Sequence, residues 1–512
     1  MGSAWKTKTV VMSGGTRFDL EPVFRDATMP GSLIDSQNFE AGQAGGYARV
    51  KGYTTYDSTA VPGSNRVLGC FVHADGVLAC RGSSIYFSTG SGWGSDIAPS
   101  SRTGAGQYRA AKYSWSSERT VLVDGDNTPV RFVGSTGTDL TNAPSAATCV
   151  REFKNHLFFG KAGTVTFSAP NDDTVYLVAS GGGSFVVGDT IQNFGVWRGR
   201  LYVFCENSIH RISGNDASDF AIEPVTGHLG CTFPDTVVEV AGDIVFLAPD
   251  GLRKISSTDQ TEEVAIDNLS NPIKSTIDDY ISTYETSGRV CAVTIESKSQ
   301  YRLFFSDEDT AVASTPSVAL CLVKGQAGYD WELFPLMGIK AATADHGVIN
   351  NGQDELIVHA AWDGYVYQQE SGNSFNGSNI TAYLQLPYLV FDDPAVRKIL
   401  HRLRLYVTTE GRALSHITAQ VYLDDNDPTV VQPSSIDMTS YIPEGVAIYG
   451  FTGGVNGSKY GTAVYGRGAS QNYRTGLLGG GFNISVKLST DDTRPAYAVK
   501  TAIMEYSLGA RQ

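Results

Sequence analysis

The chain contains 512 residues, of which 41% are hydrophobic and only 18% are charged, and its 53 acidic and 39 basic side chains give a formal net charge of −14. This length allows two or three domains with substantial cores, and the apolar, lightly charged composition excludes an intrinsically disordered chain. The excess of acidic residues disfavours proteins that bind nucleic acid by neutralising its phosphates.

The sequence carries no signal for a membrane segment or for a secreted disulfide framework. No stretch reaches the roughly 18 to 20 consecutive apolar residues of a membrane helix, and the polar N-terminus lacks the apolar core of a secretory signal. The seven cysteines stand singly within strand-like runs, and none belongs to a Cys-x-x-Cys pair. We therefore expect buried, reduced thiols in a chain made in a reducing cytoplasm.

The first 50 residues show only weak strand and helix patterns, and we expect residues 1–50 to form an extended N-terminal arm or part of another element. From residue 51 onward, short β-prone runs alternate with turn residues. In the clearest example, 236–256, three such runs are separated by Gly242-Asp243 and by Pro249-Asp250-Gly251. Pro fixes φ and Gly accepts positive φ, so this segment predicts a three-stranded antiparallel meander.

This meander recurs along the chain. Turn markers lie near residues 75, 118, 155, 199 and 242, at intervals of about 43, 37, 44 and 43 residues, and two looser copies follow at 301–305 and 362–367. An all-β period of roughly 40 to 45 residues is typical of β-propeller blades. We predict a β-propeller of about six or seven blades over residues 51–372, with a β-sandwich or barrel as the alternative.

The one clear helix signal lies at 271–284. Asn271 is the expected N-cap and Pro272 the first helical residue, and apolar side chains then recur at spacings of three and four. The predicted buried face consists of Ile273, Ile277, Tyr280, Ile281 and Tyr284.

After a Gly/Asn/Ser-rich linker at 371–378, the strand-like runs become longer and alternate more regularly. We predict a C-terminal β-sandwich-like domain over residues 376–512, which makes the whole chain all-β. The Gly/Tyr-rich segment 449–481 is interpreted either as a flexible loop or as a contact surface for a partner.

Motifs for catalysis, cofactors and metals are missing. The histidines stand alone, no phosphate-binding glycine loop precedes a helix, and there is no Gly-x-Ser-x-Gly sequence. Four acidic clusters, at 124–126, 172–173, 307–309 and 424–427, have the composition of ordinary turns, and we favour that interpretation over an ion site or a catalytic pair. The sequence therefore predicts no catalytic residue, no cofactor and no metal site, and hence no enzyme.

Two sets of residues resemble the tail nozzle proteins of short-tailed bacteriophages, also called tubular tail or stabilisation proteins. The first is Asn38-Phe39 followed by a Gly-rich turn and Arg49, Gly52 and Tyr53. The second lies within the stretch with the strongest likeness, at about 194–256, whereas 376–490 matches weakly. The motif positions in that second set are Gly199, Leu201, Gly214, Gly230, Pro249, Asp250, Gly251 and Arg253.

This resemblance implies a structural virion protein located in the tail and assembled in the host cytoplasm. Six copies would form a homohexameric tube that contacts the adaptor ring of the head-to-tail connector and the tail fibres. The tube would close the tail and then conduct genomic DNA during ejection without binding it specifically. An acidic wall suits that role, because like charge does not trap a moving polyanion. The alternative is a phage-associated propeller enzyme or lectin that acts on host surface polysaccharide.

Overall fold

The computed structural model describes residues 5–20, 26, 28–104, 106–256, 268–286, 288–324, 329–350, 352–391, 393–409, 416–438, 447–448, 463–464 and 470–511. The chain forms two compact units. The propeller unit comprises residues 55–317 and 338–369, and the sandwich unit comprises residues 1–54, 318–337 and 370–512. The segment 449–481, interpreted above as a loop or contact surface, lies largely outside the described residues.

The propeller unit consists of seven small antiparallel sheets, here called blades I to VII, that follow one another along the chain. Blade I contains Val67–His73, Gly76–Arg81 and Ser84–Ser88; blade II contains Arg109–Ser114, Glu118–Val123, Val130–Val133 and Thr136–Asp139; blade III contains Cys149–Phe153, His156–Lys161, Thr164–Phe167 and Gly183–Val186; blade IV contains Ile191–Trp197, Arg200–Cys205, Ile209–Ser213 and Ala221–Thr226; blade V contains Val238–Val240, Asp243–Ala248 and Gly251–Lys254; blade VI contributes Arg289–Ile295 and Gln300–Ser306 to this unit; and blade VII contains Thr343–Ile349, Asp354–Ala360 and Val366–Gln369.

Apolar clusters between neighbouring blades close these sheets into a ring. Separate buried clusters join blade I to II, II to III, III to IV, IV to V, and VII back to I. Between blades V and VI, the Tyr301 hydroxyl donates a hydrogen bond of 2.9 Å to the carbonyl of Thr236. Between blades VI and VII, the Glu296 amide donates to the Glu355 carboxylate over 2.6 Å. The ring of seven blades confirms the predicted propeller.

The chain that enters blade I also lies against blade VII. The Tyr56 amide donates to the Val366 carbonyl over 2.8 Å, and the Val61 amide donates to the Gly364 carbonyl over 2.9 Å. In a ring built from consecutive blades, the first and the last blade are neighbours in space but not in sequence. These hydrogen bonds join those two blades. Closure protects the sheet edges that an open row of strands would expose.

The predicted helix is present, but it begins differently from the prediction. A 3-10 turn at Asn271–Ile273 leads into the α-helix Lys274–Tyr284, and Asn271 makes no side-chain cap. Instead the Asn268 carboxamide oxygen accepts the Ser270 amide over 2.9 Å. Of the predicted apolar face, four side chains are buried and Tyr280 is half-buried.

Two sheets form most of the sandwich unit. The six-stranded sheet contains Lys6–Val11, Phe39–Ala41, Tyr47–Arg49, Val396–Thr409, Ser470–Gly481 and Tyr497–Arg511; the five-stranded sheet contains Asp35–Gln37, Ile380–Gln385, Thr418–Leu423, Ile436–Asp437 and Ile484–Asp492. Buried and more exposed residues alternate along Ile380–Gln385 and Thr418–Leu423, as expected for a sheet with one face in a core.

The remaining described elements are further strands and short 3-10 turns. The strands are Tyr53–Thr55, Pro316–Lys324, Tyr329–Met337 and the parallel pair Ala447–Ile448 and Ala463–Val464. The other 3-10 turns are Val178–Ser180, Pro234–Thr236, Glu296–Lys298, Val312–Ser314 and Asp424–Asn426. No helix within the described ranges is long and apolar enough to span a membrane.

The N-terminal residues form part of the sandwich unit and not a separate arm. Lys6–Val11 pairs antiparallel with the last strand, from Lys6 opposite Tyr506 to Val11 opposite Thr501. Asp35–Gln37 pairs with Ile380–Gln385 in the other sheet. The described residues of the segment 1–50 are therefore part of another element, one of the two alternatives expected for it, because backbone pairing with distant strands satisfies their hydrogen bonds. Sequence periodicity over 50 residues carries no information about such partners.

A close backbone approach in blade IV gives a first prediction. A Cβ atom at Gly230 would overlap the carbonyl oxygen of Glu206, whereas a Cβ atom at Gly227 would have no heavy atom within 4 Å. We expect Gly230→Ala to lower the free energy of unfolding by about 1–3 kcal/mol or more, because the backbone must shift. Gly227→Ala is the matched control and should change it by less than about 0.5 kcal/mol. Urea denaturation of both variants measures the free energy of unfolding. Equal losses would contradict the close approach of Gly230 to the Glu206 carbonyl.

Candidate functional site

Asn38 ties together three segments of the sandwich unit. It is buried and has a positive φ of 57°, a conformation that Asn tolerates better than most residues. Its carboxamide oxygen accepts the Met337 amide over 2.8 Å, and its amide nitrogen donates to the Thr381 carbonyl over 2.8 Å. Its own carbonyl accepts the Val50 amide over 3.1 Å. Asn38 thus acts as a structural cross-link.

The neighbouring motif residues have the same kind of role. Phe39 is fully buried and packs edge-on against Tyr497 with ring centroids 6.0 Å apart. Arg49, only 1% exposed, forms an ion pair of 2.8 Å with Asp492 and also donates to the Arg494 carbonyl. Burial of a guanidinium is tolerated because a carboxylate and backbone oxygens receive its protons.

Gly52 and Tyr53 pack against the segment 370–376. A Cβ atom at Gly52 would overlap the Ser374 carbonyl oxygen, so that position requires glycine. The Tyr53 ring stacks on Phe375 at 5.2 Å, and its amide donates to the Ser374 carbonyl over 3.1 Å.

In blade IV, the motif residues serve the hairpins and the core. Gly199 has a φ of +71° in the exposed turn before Arg200–Cys205, and Leu201 is fully buried between blades III and IV. Gly214 has a φ of +125°. A Cβ atom added at this position would lie only 2.7 Å from the Asp219 carbonyl oxygen. Gly230 permits the close approach described above.

The turn of blade V is stabilised by an ion pair. The Arg253 guanidinium donates to both carboxylate oxygens of Asp250, over 3.0 and 2.5 Å. This hydrogen bond is the main reason that the pKa of Asp250 lies below its usual range. Pro249 is exposed, and Gly251 has a φ of +128°.

Five of the predicted positions therefore lie in the sandwich unit and eight in the propeller unit. Within each unit they hold turns, cores and chain crossings. One of them, Gly199, borders a cavity of about 710 Å³ at the propeller axis. Their observed contacts are structural.

The best candidate site is the axis of the propeller, which no sequence motif indicated. The innermost strands of the blades line a cavity of about 330 Å³ and an adjoining one of about 710 Å³. Both cavities are bordered by Phe71, Ala110, Arg151, Glu239, Asp345 and His346.

Ion pairs between blades that are not neighbours along the chain cross this axis. Arg109 of blade II donates to both carboxylate oxygens of Asp235, at the start of blade V, over 2.5 and 3.3 Å. Burial opposes the charge of Arg109, but Asp235 outweighs that effect and the pKa of Arg109 is raised. These contacts bind one side of the ring to the other.

Two further pairs cross nearby. Lys112 of blade II lies 2.5 Å from Asp345 of blade VII, and Arg151 of blade III pairs with Glu239 of blade V. His346 lies 3.3 Å from the remaining carboxylate of the smaller cavity, that of Glu296. Each carboxylate that borders the smaller cavity therefore faces a cationic or imidazole side chain. Sequence reasoning missed these pairs because their members lie 50 to 233 residues apart.

The acidic clusters singled out in the sequence form turns and ion pairs. Asp124 accepts the Asn127 amide over 2.8 Å, and Asp172 accepts the Thr174 amide over 2.8 Å. Asp307 accepts the Thr310 amide over 2.6 Å, and Asp427 accepts the Thr429 amide over 2.7 Å. These are the side-chain-to-backbone bonds of Asx turns.

Within the described ranges, no group of three or more His, Cys, Asp or Glu side chains is arranged to hold a metal ion. The seven cysteines are buried, as predicted, and none of them forms a disulfide. Burial raises the pKa of Cys149 and of Cys205 to about 12, so both are protonated at neutral pH.

No protein-family model and no curated protein matches the chain. Similar solved structures include the extracellular domain of a proposed hybrid two-component system from B. thetaiotaomicron, with 9% identity over 65% of this chain and 44% of that one, at a TM-score of 0.39. PorZ, a surface component of the type-IX secretion system of Porphyromonas gingivalis, has 12% identity over 65% of this chain and 43% of its own, at 0.35. An exo-β-1,3-galactanase from Phanerochaete chrysosporium has 9% identity over 97% of this chain and 100% of its own, at 0.24. The chain spans less than half the length of the first two, and at these TM-scores the likenesses bear on no function.

Proposed function

We propose that this chain is a structural subunit of the tail of a short-tailed bacteriophage, the nozzle that closes the tail tube and conducts DNA during ejection. Six copies form the ring, which contacts the adaptor and the tail fibres. The observation that carries the proposal is the ordered set of nozzle-like motifs that runs from Asn38 to Arg253. Their residues hold chain crossings and turns in both units, as expected of a motif set that specifies architecture.

The propeller axis supports a structural role over an enzymatic one. A glycosidase requires two carboxylates that face a sugar, one of them an acid and the other a base or nucleophile. Here Asp235, Glu239 and Asp345 are each bound to a cationic side chain across the axis. Such pairs brace the ring, which suits a mechanical part.

The net charge supports the conduit. At −14 for each subunit, a six-membered ring repels DNA instead of retaining it, and the field adds over the copies. DNA that passes such a wall needs no specific contact.

The assembly state tests this proposal. The mass of the 54.8 kDa chain is measured by analytical ultracentrifugation, alone and mixed with the adaptor ring encoded by the same virus. A particle with six copies, either free or on the adaptor, is the expected result. A monomer under both conditions would contradict the nozzle, and a monomer that binds or cleaves host polysaccharide would favour the carbohydrate-acting alternative.

A further inference from the structure

Several blades of the propeller have an outer edge that is covered by another part of the same unit. In blade I the Ile97 amide donates to the Ile85 carbonyl of the outermost strand over 2.9 Å. In blade V the Leu269 amide donates to the Leu252 carbonyl over 2.8 Å, and blade VII receives the hydrogen bond from Tyr56 described above. A covered edge has fewer backbone groups with which to pair another chain.

Blades III and IV end on strands of different character. The outermost strand of blade IV, Ala221–Thr226, contains Glu223 and Pro224. A charge and a proline are devices by which natural proteins prevent pairing at a sheet edge. The outermost strand of blade III, Gly183–Val186, has neither device, and the whole run from Thr174 to Gly188 contains no charged residue and no proline.

The hydrogen-bond register shows which backbone groups of this outermost strand point outward. The strand pairs antiparallel with Thr164–Phe167, and the Val187 amide donates to the Gly163 carbonyl over 2.9 Å. In such a ladder, hydrogen-bonded pairs alternate with pairs that are not hydrogen-bonded. The amides and carbonyls of Ser184 and Val186 therefore point away from blade III. Among the residues that the structure describes, no further strand pairs with this edge.

Exposed apolar side chains flank these outward-pointing groups. Val186 is 78% exposed, and Leu177 and Val178, in the turn before the strand, are 69% and 81% exposed. The Gly182 amide donates to the Leu177 carbonyl over 3.0 Å, which holds this turn close to the start of the strand. The name open edge is used here for Leu177, Val178 and the strand Gly183–Val186. An uncharged edge strand of this kind is a template for β-strand pairing with another chain.

The open edge is complementary to a second copy of itself. When two copies are related by a two-fold axis at Phe185, Ser184 of one copy lies opposite Val186 of the other, and each such pair exchanges two hydrogen bonds. The small serine side chain leaves room for the valine beside it on the same face of the joined sheet. Charge favours the same place, because two chains of net charge −14 repel each other and approach most easily where neither carries a charge.

We propose that two copies of this chain pair through the open edge, so that their two four-stranded blades III form one continuous antiparallel sheet across a two-fold axis. Such short strands with three apolar side chains bury less than the roughly 800 Å² per partner of a standard interface, so the dimer is weak and depends on concentration. A two-fold contact does not close a six-membered ring. The contact is therefore separate from the interfaces of the proposed hexamer and does not depend on that proposal.

Sedimentation velocity of the full-length chain tests this contact and separates a dimer from a ring of six. Between about 5 and 500 µM, a dimer of the 54.8 kDa chain should appear and grow with concentration. Val186→Lys places a charge in the centre of the contact and should raise the dissociation constant about tenfold or more. Val133→Lys is the matched control, because Val133 is 40% exposed in a strand that lies between two other strands of blade II. It should dimerise as the unmodified chain does.

Hydrogen exchange locates the contact. The Ser184 amide should exchange slowly at the highest concentration and rapidly at the lowest, and rapidly at both in the Val186→Lys variant. A chain that stays monomeric over the whole range, or a dimer that Val186→Lys leaves unchanged, would overturn the proposal. A monomeric chain whose Ser184 amide becomes protected only when the adaptor ring is added would assign the open edge to another protein and would also overturn the self-pairing.

Discussion

Asp173→Ala is expected to lower the free energy of unfolding by about 3–5 kcal/mol, the cost of removing one member of a buried ion pair. Asp173 is 2% exposed, and its two oxygens accept from Arg119 and Arg131 over 2.8 Å each. The Tyr113 hydroxyl donates to it over 2.5 Å. The carboxylate lies in blade III and its three donors in blade II, so its loss leaves two adjacent guanidinium groups without a counter-charge at a blade interface.

The adjacent residue offers a matched control for this prediction. Asp172 is also an aspartate of the same turn, but its carboxylate bonds only to Thr174. Asp172→Ala should cost about 1 kcal/mol, the usual net value of hydrogen bonds of this kind. Guanidinium denaturation at neutral pH measures the free energy of unfolding of both variants. Equal losses, or a loss below 1 kcal/mol for Asp173→Ala, would show that the blade interface does not depend on this cluster.

Asn38→Ala should destabilise the sandwich unit by about 3–5 kcal/mol, because it leaves a buried amide and a buried carbonyl without partners. The unpaired groups would be the Met337 amide and the Thr381 carbonyl. Alanine also disfavours the positive φ of position 38, at a cost of about 1 kcal/mol.

Asn376 isolates this backbone contribution. It has a φ of 48° and an exposed side chain, so Asn376→Ala changes the backbone preference and removes no buried side-chain hydrogen bond. We expect a loss near 1 kcal/mol for that variant. Hydrogen exchange at the Met337 amide gives a local measurement and should accelerate only in Asn38→Ala. An unchanged exchange rate there would contradict the cross-link.

The local features of the fold could be predicted from the sequence. Gly199, Gly242 and the Pro249-Asp250-Gly251 turn mark hairpins because positive φ and fixed φ are properties of single residues. Their spacing then indicates blades, since each blade is one meander. The face of the helix Lys274–Tyr284 follows in the same way from the spacing of Ile277, Ile281 and Tyr284.

Long-range pairing could not be predicted in this way. Lys6–Val11 is a sheet strand only because Tyr497–Arg511 lies beside it, almost 500 residues later. The same holds for the propeller axis. Arg109 and Asp235 are far apart in sequence, and they become neighbours only when the blades between them have folded into the ring. Side chains with no local signal thus form the candidate site, whereas the residues with the strongest motif signal hold the scaffold.

The proposed nozzle role is tested most directly by electron cryomicroscopy of intact virions from the phage that is proposed to encode this chain. Six copies of the chain are expected in a ring at the distal end of the tail, in contact with the adaptor and with a lumen that is acidic or neutral. A tail that lacks the chain, or a ring of it whose lumen is lined with Lys and Arg side chains, would contradict the account.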